Sequence, residues 1–143
     1  MSEEETRTNG PATMERRAGE VVSGAARKKR VLVVDDQPRV TRFVEIFLKL
    51  KGFDVISTTS GREALELVVS RQPDIMLLDI IMPEMDGFEV MRRLRTFSMI
   101  PVIAISASPG KHRGAEAIGA DDFLPKPFQT EDMLKRINRL LGM

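Results

Sequence analysis

Hydrophobic residues along this chain follow two alternating patterns. Short apolar runs rich in Val, Ile and Leu are typical of buried strands, and they alternate with longer stretches whose apolar residues recur at helical spacing. From Arg30 onward the short runs predict five strands, at 30–35, 53–59, 74–79, 101–106 and 121–126. The helical spacing predicts five helices, at 37–52, 60–72, 84–97, 110–119 and 129–141.

Regular alternation of strand and helix indicates a specific architecture. Apolar strands joined to helices by short loops are typical of a parallel sheet that is covered on both faces. Because such crossovers are right-handed, the leading prediction is a doubly wound five-stranded α/β domain over residues 30–143. The helix at 110–119 is the weakest of the five because Gly114 lies inside it.

Residues 1–29 form an extension with a different composition. The stretch up to Pro11 is rich in Glu, Thr, Asn and Gly, which predicts disorder. Beyond it, five apolar residues fall on one face of a helix: Met14, Ala18, Val21, Val22 and Ala25. Gly19 and Gly24 each cost such a helix about 1 kcal/mol relative to Ala, so it would need a surface to dock on. The extension is therefore predicted to be disordered or partly helical.

Composition excludes several classes of protein. The 143 residues are 42% hydrophobic, enough for one domain with a real core. They contain no apolar run near 18 residues, so no membrane span is predicted, and the acidic, polar start argues against a secretory signal. A chain without Cys and with one His is a poor zinc ligand set. A cytoplasmic location is the resulting expectation.

The net charge of +1 divides unevenly. Residues 1–30 carry +2 and the remainder carries −1, so the main domain has no evident nucleic-acid footprint. The basic run Arg27–Arg30 is interpreted as a solubilising segment, with a nucleic-acid-binding arm as the alternative. We therefore expect no direct nucleic-acid partner.

Polar residues stand where four of the predicted strands end. Asp35 and Asp36 end the first strand, Asp79 the third, Ser106 the fourth and Lys126 the fifth. In open α/β sheets the functional crevice lies beyond the carboxyl ends of the strands. The sequence therefore predicts that three carboxylates, a hydroxyl and an ammonium group share one pocket.

The chemistry of this group favours phosphoryl transfer with Mg²⁺. Three close carboxylates repel one another, Lys126 compensates one of them, and a divalent cation is the natural partner for the rest. All-oxygen ligands favour Mg²⁺ over zinc or copper. Asp79 is the best candidate nucleophile, since a carboxylate is already ionised at pH 7 whereas Ser106 has no base nearby. The phosphate-cradling loop pattern fails around Lys111, so ATP is not the expected direct donor.

Four segments in this order resemble the receiver domain of two-component response regulators. They are VLVVDDQP, DIMLLDIIMPEMDGFEV, PVIAISA and GADDFLPKPF, and the resemblance covers residues 30–142. It implies a flavodoxin-like sheet with strand order 2-1-3-4-5. It also implies a phosphorylation-controlled signalling switch rather than a classical enzyme. Such a module catalyses only its own phosphorylation and slow dephosphorylation.

The resemblance assigns roles to the residues at the site. It makes Asp79 the phosphoacceptor, with a histidine kinase or histidine phosphotransfer protein as the donor. Asp36, Asp79 and the backbone carbonyl of Ile81 bind Mg²⁺ directly in this assignment, while Asp35 acts mainly through water. Lys126 contacts the phosphoryl group.

The resemblance also implies a route to an output. The peptide bond between Lys126 and Pro127 is expected to be cis. Ser106 and Phe123 match the hydroxyl and aromatic positions that switch on phosphorylation, although Phe123 lacks the hydroxyl of a tyrosine and is selected by packing alone. The switch is expected to change protein contacts through a face made by the helix at 110–119, strand five and the final helix, where a downstream protein target binds.

Simpler interpretations exist for each residue taken alone. Asp35 and Asp36 are also suited to cap the helix that follows, Asp79 to form a turn, and Lys126 to lie in a solvated loop. Two other functions compete with the switch: an aspartate-based phosphohydrolase and a structural pseudo-receiver. A phosphohydrolase usually needs a second Asp where this chain has Ile81, and the intact set of acids, Ser and Lys argues against a pseudo-receiver. Because the chain ends two residues after its last helix, we expect either a stand-alone regulator or an excised receiver.

Overall fold

The structure is a computed structural model in which residues 27–108, Gly114 and residues 119–143 are described. The described part contains five strands: β1 (Arg30–Val34), β2 (Asp54–Thr58), β3 (Ile75–Asp79), β4 (Val102–Ser106) and β5 (Asp122–Pro125). It contains four helices that the structure bounds: α1 (Pro38–Leu50), α2 (Gly61–Arg71), α3 (Gly87–Leu94) and α4 (Thr130–Leu141). The helix predicted at 110–119 and nearly all of the extension at 1–29 lie outside the described residues.

The five strands form one parallel sheet in the order β2-β1-β3-β4-β5. This order confirms the predicted flavodoxin-like fold. Strand β3 is central, every one of its residues is buried, and Asp79 at its end pairs in register with Ile105 of β4. The strand order reverses between β1 and β3, so a crevice opens beyond the carboxyl ends of these two strands.

Helices cover both faces of the sheet, as the apolar strands predict. One face carries α1 and α4 over a cluster that includes Val33, Leu77 and Ile103. The other face carries α2 and α3 over a cluster that includes Leu32 and Leu78. Side chains alternate between the faces along each strand, which is why both faces need an apolar cover.

Two details differ from the pattern-based expectation. Helix α3 begins at Gly87 rather than at residue 84, because the Asp86 side chain accepts the backbone N–H of Glu89 as an N-cap and Glu84 has a left-handed φ of 65°. In α1, the apolar residues do not all face the core. Val44 and Leu48 are buried, whereas the side chains of Phe43 and Leu50 are exposed.

Candidate functional site

The predicted strand-end residues meet at the carboxyl edge of the sheet. Asp79 and Ser106 are the last residues of β3 and β4, and Asp35 and Lys126 directly follow β1 and β5. The Lys126 Nζ lies 3.1 Å from Asp35 Oδ2 and 3.4 Å from Asp79 Oδ2. Residues that are 91 and 47 positions apart in the chain thus contact one another.

The two carboxylate side chains are buried more deeply than the lysine side chain that pairs with them. The side chains of Asp35 and Asp79 are 5% and 6% exposed, against 24% for Lys126. Buried carboxylates are costly unless they are paired and hydrogen-bonded. Among the described residues, the Lys126 ammonium group is the cation that pairs with both of them, so two buried carboxylates share one positive charge.

Local turns hold each carboxylate in place. Asp35 Oδ1 accepts the backbone N–H of Gln37 at 2.9 Å, and Asp79 Oδ1 accepts that of Ile81 at 3.1 Å. Aspartate side chains commonly accept the N–H two residues further on in such turns. The alternative in which Asp35 or Asp36 caps α1 is not the observed arrangement, since the N-cap residue is Gln37 and its side chain makes no capping bond.

The electrostatics of Asp79 follow from this burial. Burial raises the pKa of the Asp79 carboxyl above its ordinary 3.8, and the neighbouring Asp35 carboxylate raises it further against the opposing effect of Lys126. Burial would lower the pKa of Lys126, but Asp35 and Asp79 outweigh it and raise that pKa above 10.5. The site therefore holds a firmly charged ammonium group next to a carboxylate whose ionised form is disfavoured.

Three acidic residues are placed to share a cation. Ligand oxygens of Asp35, Asp36 and Asp79 all lie within 4.8 Å of one another. Carboxylate oxygens without sulfur or imidazole are the donor set of a hard divalent ion such as Mg²⁺. The residues present therefore fit the predicted metal.

Ser106 joins this edge of the sheet to the loop that carries Lys126. Its side chain is buried, and its Oγ accepts the backbone N–H of Ser108 at 3.0 Å. Its carbonyl accepts the backbone N–H of Lys126 at 3.0 Å. The peptide bond between Lys126 and Pro127 is cis. These contacts place a hydroxyl group and the ammonium group on adjacent strands at the same crevice.

Phe123 lies below the crevice in a small apolar cluster. Its side chain is buried against Ile80 and Ala104, with Phe88 and Ala120 packed around them. The prediction that phosphorylation drives Phe123 inward stays a prediction.

Gly87 supports the site, although the sequence analysis assigned it no role. A Cβ atom at this position would lie 2.5 Å from the Ile80 Cα and 2.8 Å from the Asp79 carbonyl oxygen. The Gly87 N–H donates to the Ile80 carbonyl at 2.8 Å. The start of α3 thus packs directly on the backbone that bears Asp79, and the Asp-Gly pair before a helix was the available signal.

The fold and this site define an open α/β domain with an acidic pocket at the strand ends. The family model of the response regulator receiver domain matches residues 31–138. The chain therefore belongs to the response regulator receiver domain family, whose members are signalling modules of two-component systems rather than classical enzymes.

Curated relatives and solved structures agree with this membership. The response regulator MprA of Mycolicibacterium vanbaalenii is 42% identical, and the DNA-binding dual master transcriptional regulator RpaA of Synechocystis is 40% identical, each over 78% of this chain. Those alignments cover 50% and 48% of the relatives, so the chain spans about half the length of the curated relatives it matches. The chemotaxis protein CheY4 of Vibrio cholerae is 32% identical with a TM-score of 0.74, over 79% of this chain and 98% of that structure.

The described helices and the named relatives bear on two further expectations, which concern a membrane span and a nucleic-acid partner. Among the helices within residues 27–108 and 119–143, none has the length and apolar character needed to cross a membrane. The expectation that nucleic acid is not a partner gains no support, because one relative is named a DNA-binding regulator.

Proposed function

We propose that this chain is a phosphorylation-controlled switch in which Asp79 accepts a phosphoryl group from a phosphohistidine donor. The observation that carries the proposal is the buried Asp79 carboxylate, held at the end of β3 with Lys126 Nζ 3.4 Å away and two further acids beside it. Membership in the receiver family supports a histidine kinase or histidine phosphotransfer protein as the donor.

The proposed reaction forms one bond and breaks one. An Asp79 carboxylate oxygen attacks phosphorus, the bond between phosphorus and the donor imidazole nitrogen breaks, and an acyl phosphate forms. The departing imidazole nitrogen takes up a proton. Because Asp79 Oδ1 accepts the Ile81 N–H and Oδ2 faces Lys126, the carboxylate is fixed in orientation before the donor arrives.

Asp36, Asp79 and the backbone carbonyl of Ile81 would hold Mg²⁺, with Asp35 acting mainly through water. When bound, the ion would neutralise part of the negative charge that develops on the phosphoryl oxygens. The all-oxygen cluster of Asp35, Asp36 and Asp79 supports this assignment.

Lys126 and Ser106 would bind the transferred group. The Lys126 ammonium group can donate charge-assisted hydrogen bonds to phosphoryl oxygens. The Ser106 hydroxyl can also donate a hydrogen bond to them while its oxygen accepts the Ser108 N–H. Slow hydrolysis of the acyl phosphate at this site would reset the switch.

The proposed output face combines the helix predicted at 110–119, β5 and α4. Arg136 of α4 donates to the Phe123 carbonyl at 2.7 Å and to Asp122 at 2.8 Å, so α4 is tied to β5 at the proposed switch residue. Phosphorylation would shift an equilibrium between arrangements of Ser106 and Phe123 and so change this face. A downstream protein target would read the change.

Labelling with acetyl phosphate tests the phosphoacceptor. With Mg²⁺ present, we expect the protein to acquire one alkali-labile phosphoryl group, and EDTA should suppress the labelling. Asp79→Asn should abolish it. The matched control is Asp86→Asn, because Asp86 lies in the loop that follows Asp79 but serves as the N-cap of α3, a role that Asn also fills.

Two outcomes would contradict the proposal. Alkali-stable label at Ser106 in the Asp79→Asn variant would identify a different nucleophile. Multiple turnover of a phosphate ester would instead favour the phosphohydrolase alternative.

Amide NMR tests the output face. On phosphorylation we expect shifts across Ser106–Gly119 and Asp121–Lys126, while the helix predicted at 37–52 stays comparatively unchanged. Shifts confined to the loops around Asp36 and Asp79 would show that the domain carries the phosphoryl group without changing its output surface.

A further inference from the structure

The backbone of Gly114 lies against the aromatic ring of Phe88. Gly114 is the one residue between 109 and 118 that the structure describes, and its backbone is helical. A Cβ atom at this position would lie 2.7 Å from the Phe88 Cε1 atom and 3.0 Å from the Cζ atom. Any other residue would therefore force the ring or the backbone to move. Gly114 weakens a helix, as the sequence indicates, but it also makes room for this ring.

Phe88 joins this contact to the strand that ends in Asp79. Its ring packs on a buried cluster whose members are Ile80, Ala104 and Phe123. Ile80 directly follows Asp79, and its carbonyl accepts the N–H of Gly87 at 2.8 Å. The start of α3 is thus fixed to the backbone beside the proposed phosphoacceptor. One aromatic side chain lies between Gly114 and the cluster beneath the site.

The Phe88 ring also borders open space. A cleft of about 340 Å³ beside it is lined by residues of the β3–α3 connection and the first turn of α3: Ile80, Ile81, Met82, Asp86 and Phe88. Packed interiors resist gradual compression, and side chains move between discrete rotamers. A ring that lies between a dense cluster and a cleft therefore has room for a second position.

The other end of α3 holds the chain at Gly119 through hydrogen bonds. Arg95, which follows α3, donates to the Gly119 carbonyl and to the Ile100 carbonyl, each at 2.9 Å. It also pairs with Asp121 at 3.2 Å, and its side chain is 14% exposed. Several directional bonds therefore fix residue 119. Gly114 meets α3 at a steric contact, whose energy changes strongly over a small shift.

We propose that Phe88 and Gly114 form a second switch contact, which couples phosphorylation of Asp79 to the position of residue 114 in the output face. This inference rests on the proposed function and names a route from that site to the output face. Phosphorylation that displaces Ile80 or Phe123 changes the space left to the Phe88 ring. The ring then changes how closely residue 114 can approach the domain.

A double-mutant cycle in the full chain tests the contact. Alanine is ordinarily a better helix former than glycine, so Gly114→Ala would stabilise the protein if residue 114 had room for a methyl group. We expect the opposite, with a folded-to-unfolded ratio from urea unfolding that falls by roughly fivefold or more. In a Phe88→Leu background the same change should be neutral or stabilising, because the edge of the ring is gone.

The control background is Phe97→Leu. It makes the same chemical change at a ring that is 50% exposed and lies beyond the far end of α3. We expect Gly114→Ala to cost as much there as in the parent protein. Equal losses in the parent and Phe88→Leu backgrounds would show that Phe88 does not resist the methyl group, and would overturn the contact.

Amide NMR of the same variants tests the role in switching. Without a phosphodonor, we expect Gly114→Ala to move the Phe123 amide shift along the line that joins its unphosphorylated and phosphorylated positions in the parent protein. In the Phe88→Leu background the same substitution should move it less far along that line.

Two further outcomes separate the switch role from the proposed function. A loss of stability that depends on Phe88, without displacement of the Phe123 amide along that line, would show a purely structural contact and overturn the switch role. A parent protein that acquires no label from acetyl phosphate would refute the phosphoacceptor proposal and the switch role with it. The unfolding cycle would then still report whether Phe88 and Gly114 meet.

Discussion

Charged residues at the two edges of the sheet lie in opposite environments. At the amino-terminal edge, Arg30 pairs with Asp54 at 2.6 Å and Arg27 pairs with Asp74 at 2.9 Å. At the carboxyl edge, Lys126 is the one cation within the described part of the chain that pairs with the buried carboxylates of Asp35 and Asp79. Charges at one edge are matched and partly solvated, whereas those at the other are buried and unbalanced.

The pKa directions express this difference. The hydrogen bond from Arg30 holds the pKa of Asp54 below 3.8. Burial would raise the pKa of Asp74, but the bonds from Arg27 and the Arg30 backbone outweigh it and lower that pKa. The pKa of Asp79 moves the other way, since burial and Asp35 prevail over Lys126. The ionised form of Asp79 is therefore disfavoured at the carboxyl edge, whereas the ionised forms of Asp54 and Asp74 are favoured at the amino-terminal edge. A perturbed carboxylate of this kind is typical of a functional site.

The largest effect is expected when the carboxyl edge loses its cation. Lys126→Met leaves Asp35 and Asp79 buried without a counter-charge, so we expect the free energy of unfolding at pH 7 to fall by about 2 kcal/mol. Urea unfolding of the metal-free protein measures it. The matched change at the other edge, Arg30→Met, should cost less because Asp54 is more exposed. Equal losses would contradict the proposed difference between the edges.

Metal binding should depend on the carboxyl edge alone. Asp36→Ala removes a proposed direct ligand, and we expect Mg²⁺ affinity to fall by roughly tenfold or more. A fluorescence or NMR titration with Mg²⁺ measures the change. Asp54→Ala is the control at the opposite edge and should leave the affinity unchanged. An Asp36→Ala titration that matches the parent protein would remove Asp36 from the ligand set.

Neutralising Asp79 should stabilise the metal-free domain. The raised pKa means that the folded protein binds this proton more tightly than the unfolded chain does, so ionisation lowers stability as pH rises through the folded-state pKa. We therefore expect Asp79→Asn to raise the free energy of unfolding at pH 7 by about 1 kcal/mol. The gain should shrink as pH falls through the folded-state pKa and vanish well below 3.8, where the carboxyl group is protonated in both states. A variant that is less stable at pH 7 would show that Lys126 more than compensates Asp79.

The smallest effect is expected at the amino-terminal edge. Asp54→Asn breaks the ion pair with Arg30, in which the Arg30 side chain is 28% exposed and the Asp54 side chain 38%. We therefore expect the free energy of unfolding to fall by about 0.5 kcal/mol or less. The pKa of Asp54 is depressed, so this contribution is present above pH 3.8 and is lost as pH falls below it. Unfolding at low and high salt measures the pair, and high salt should reduce the loss. A loss of unfolding free energy of about 2 kcal/mol that does not depend on salt would contradict this, since it would show that Asp54 contributes as a buried, unscreened charge does.

Much of the fold was predictable because local pattern and tertiary structure agree in the strands. The run at 74–79 has no polar residue between Asp74 and Asp79, and β3 is buried on both faces, so periodicity alone indicated a central strand. Helix boundaries were less predictable. Helix α3 begins at Gly87 and not at residue 84, because Asp86 caps its first turn. Helical periodicity in the sequence does not show where such a cap ends the preceding loop.

Which residues stand at the strand ends follows from local sequence, since strand length and the change from apolar to polar residues are local properties. Asp35, Asp79, Ser106 and Lys126 were therefore identifiable before any contact was known. The approach of one ammonium group to within 3.4 Å of two carboxylates required the folded structure, because that distance depends on strand order and register. The folded structure also decided which apolar residues of α1 are left exposed. Periodicity places Phe43 and Leu50 on an apolar face, but the width of the sheet and the position of α4 determine how much of that face the core can cover.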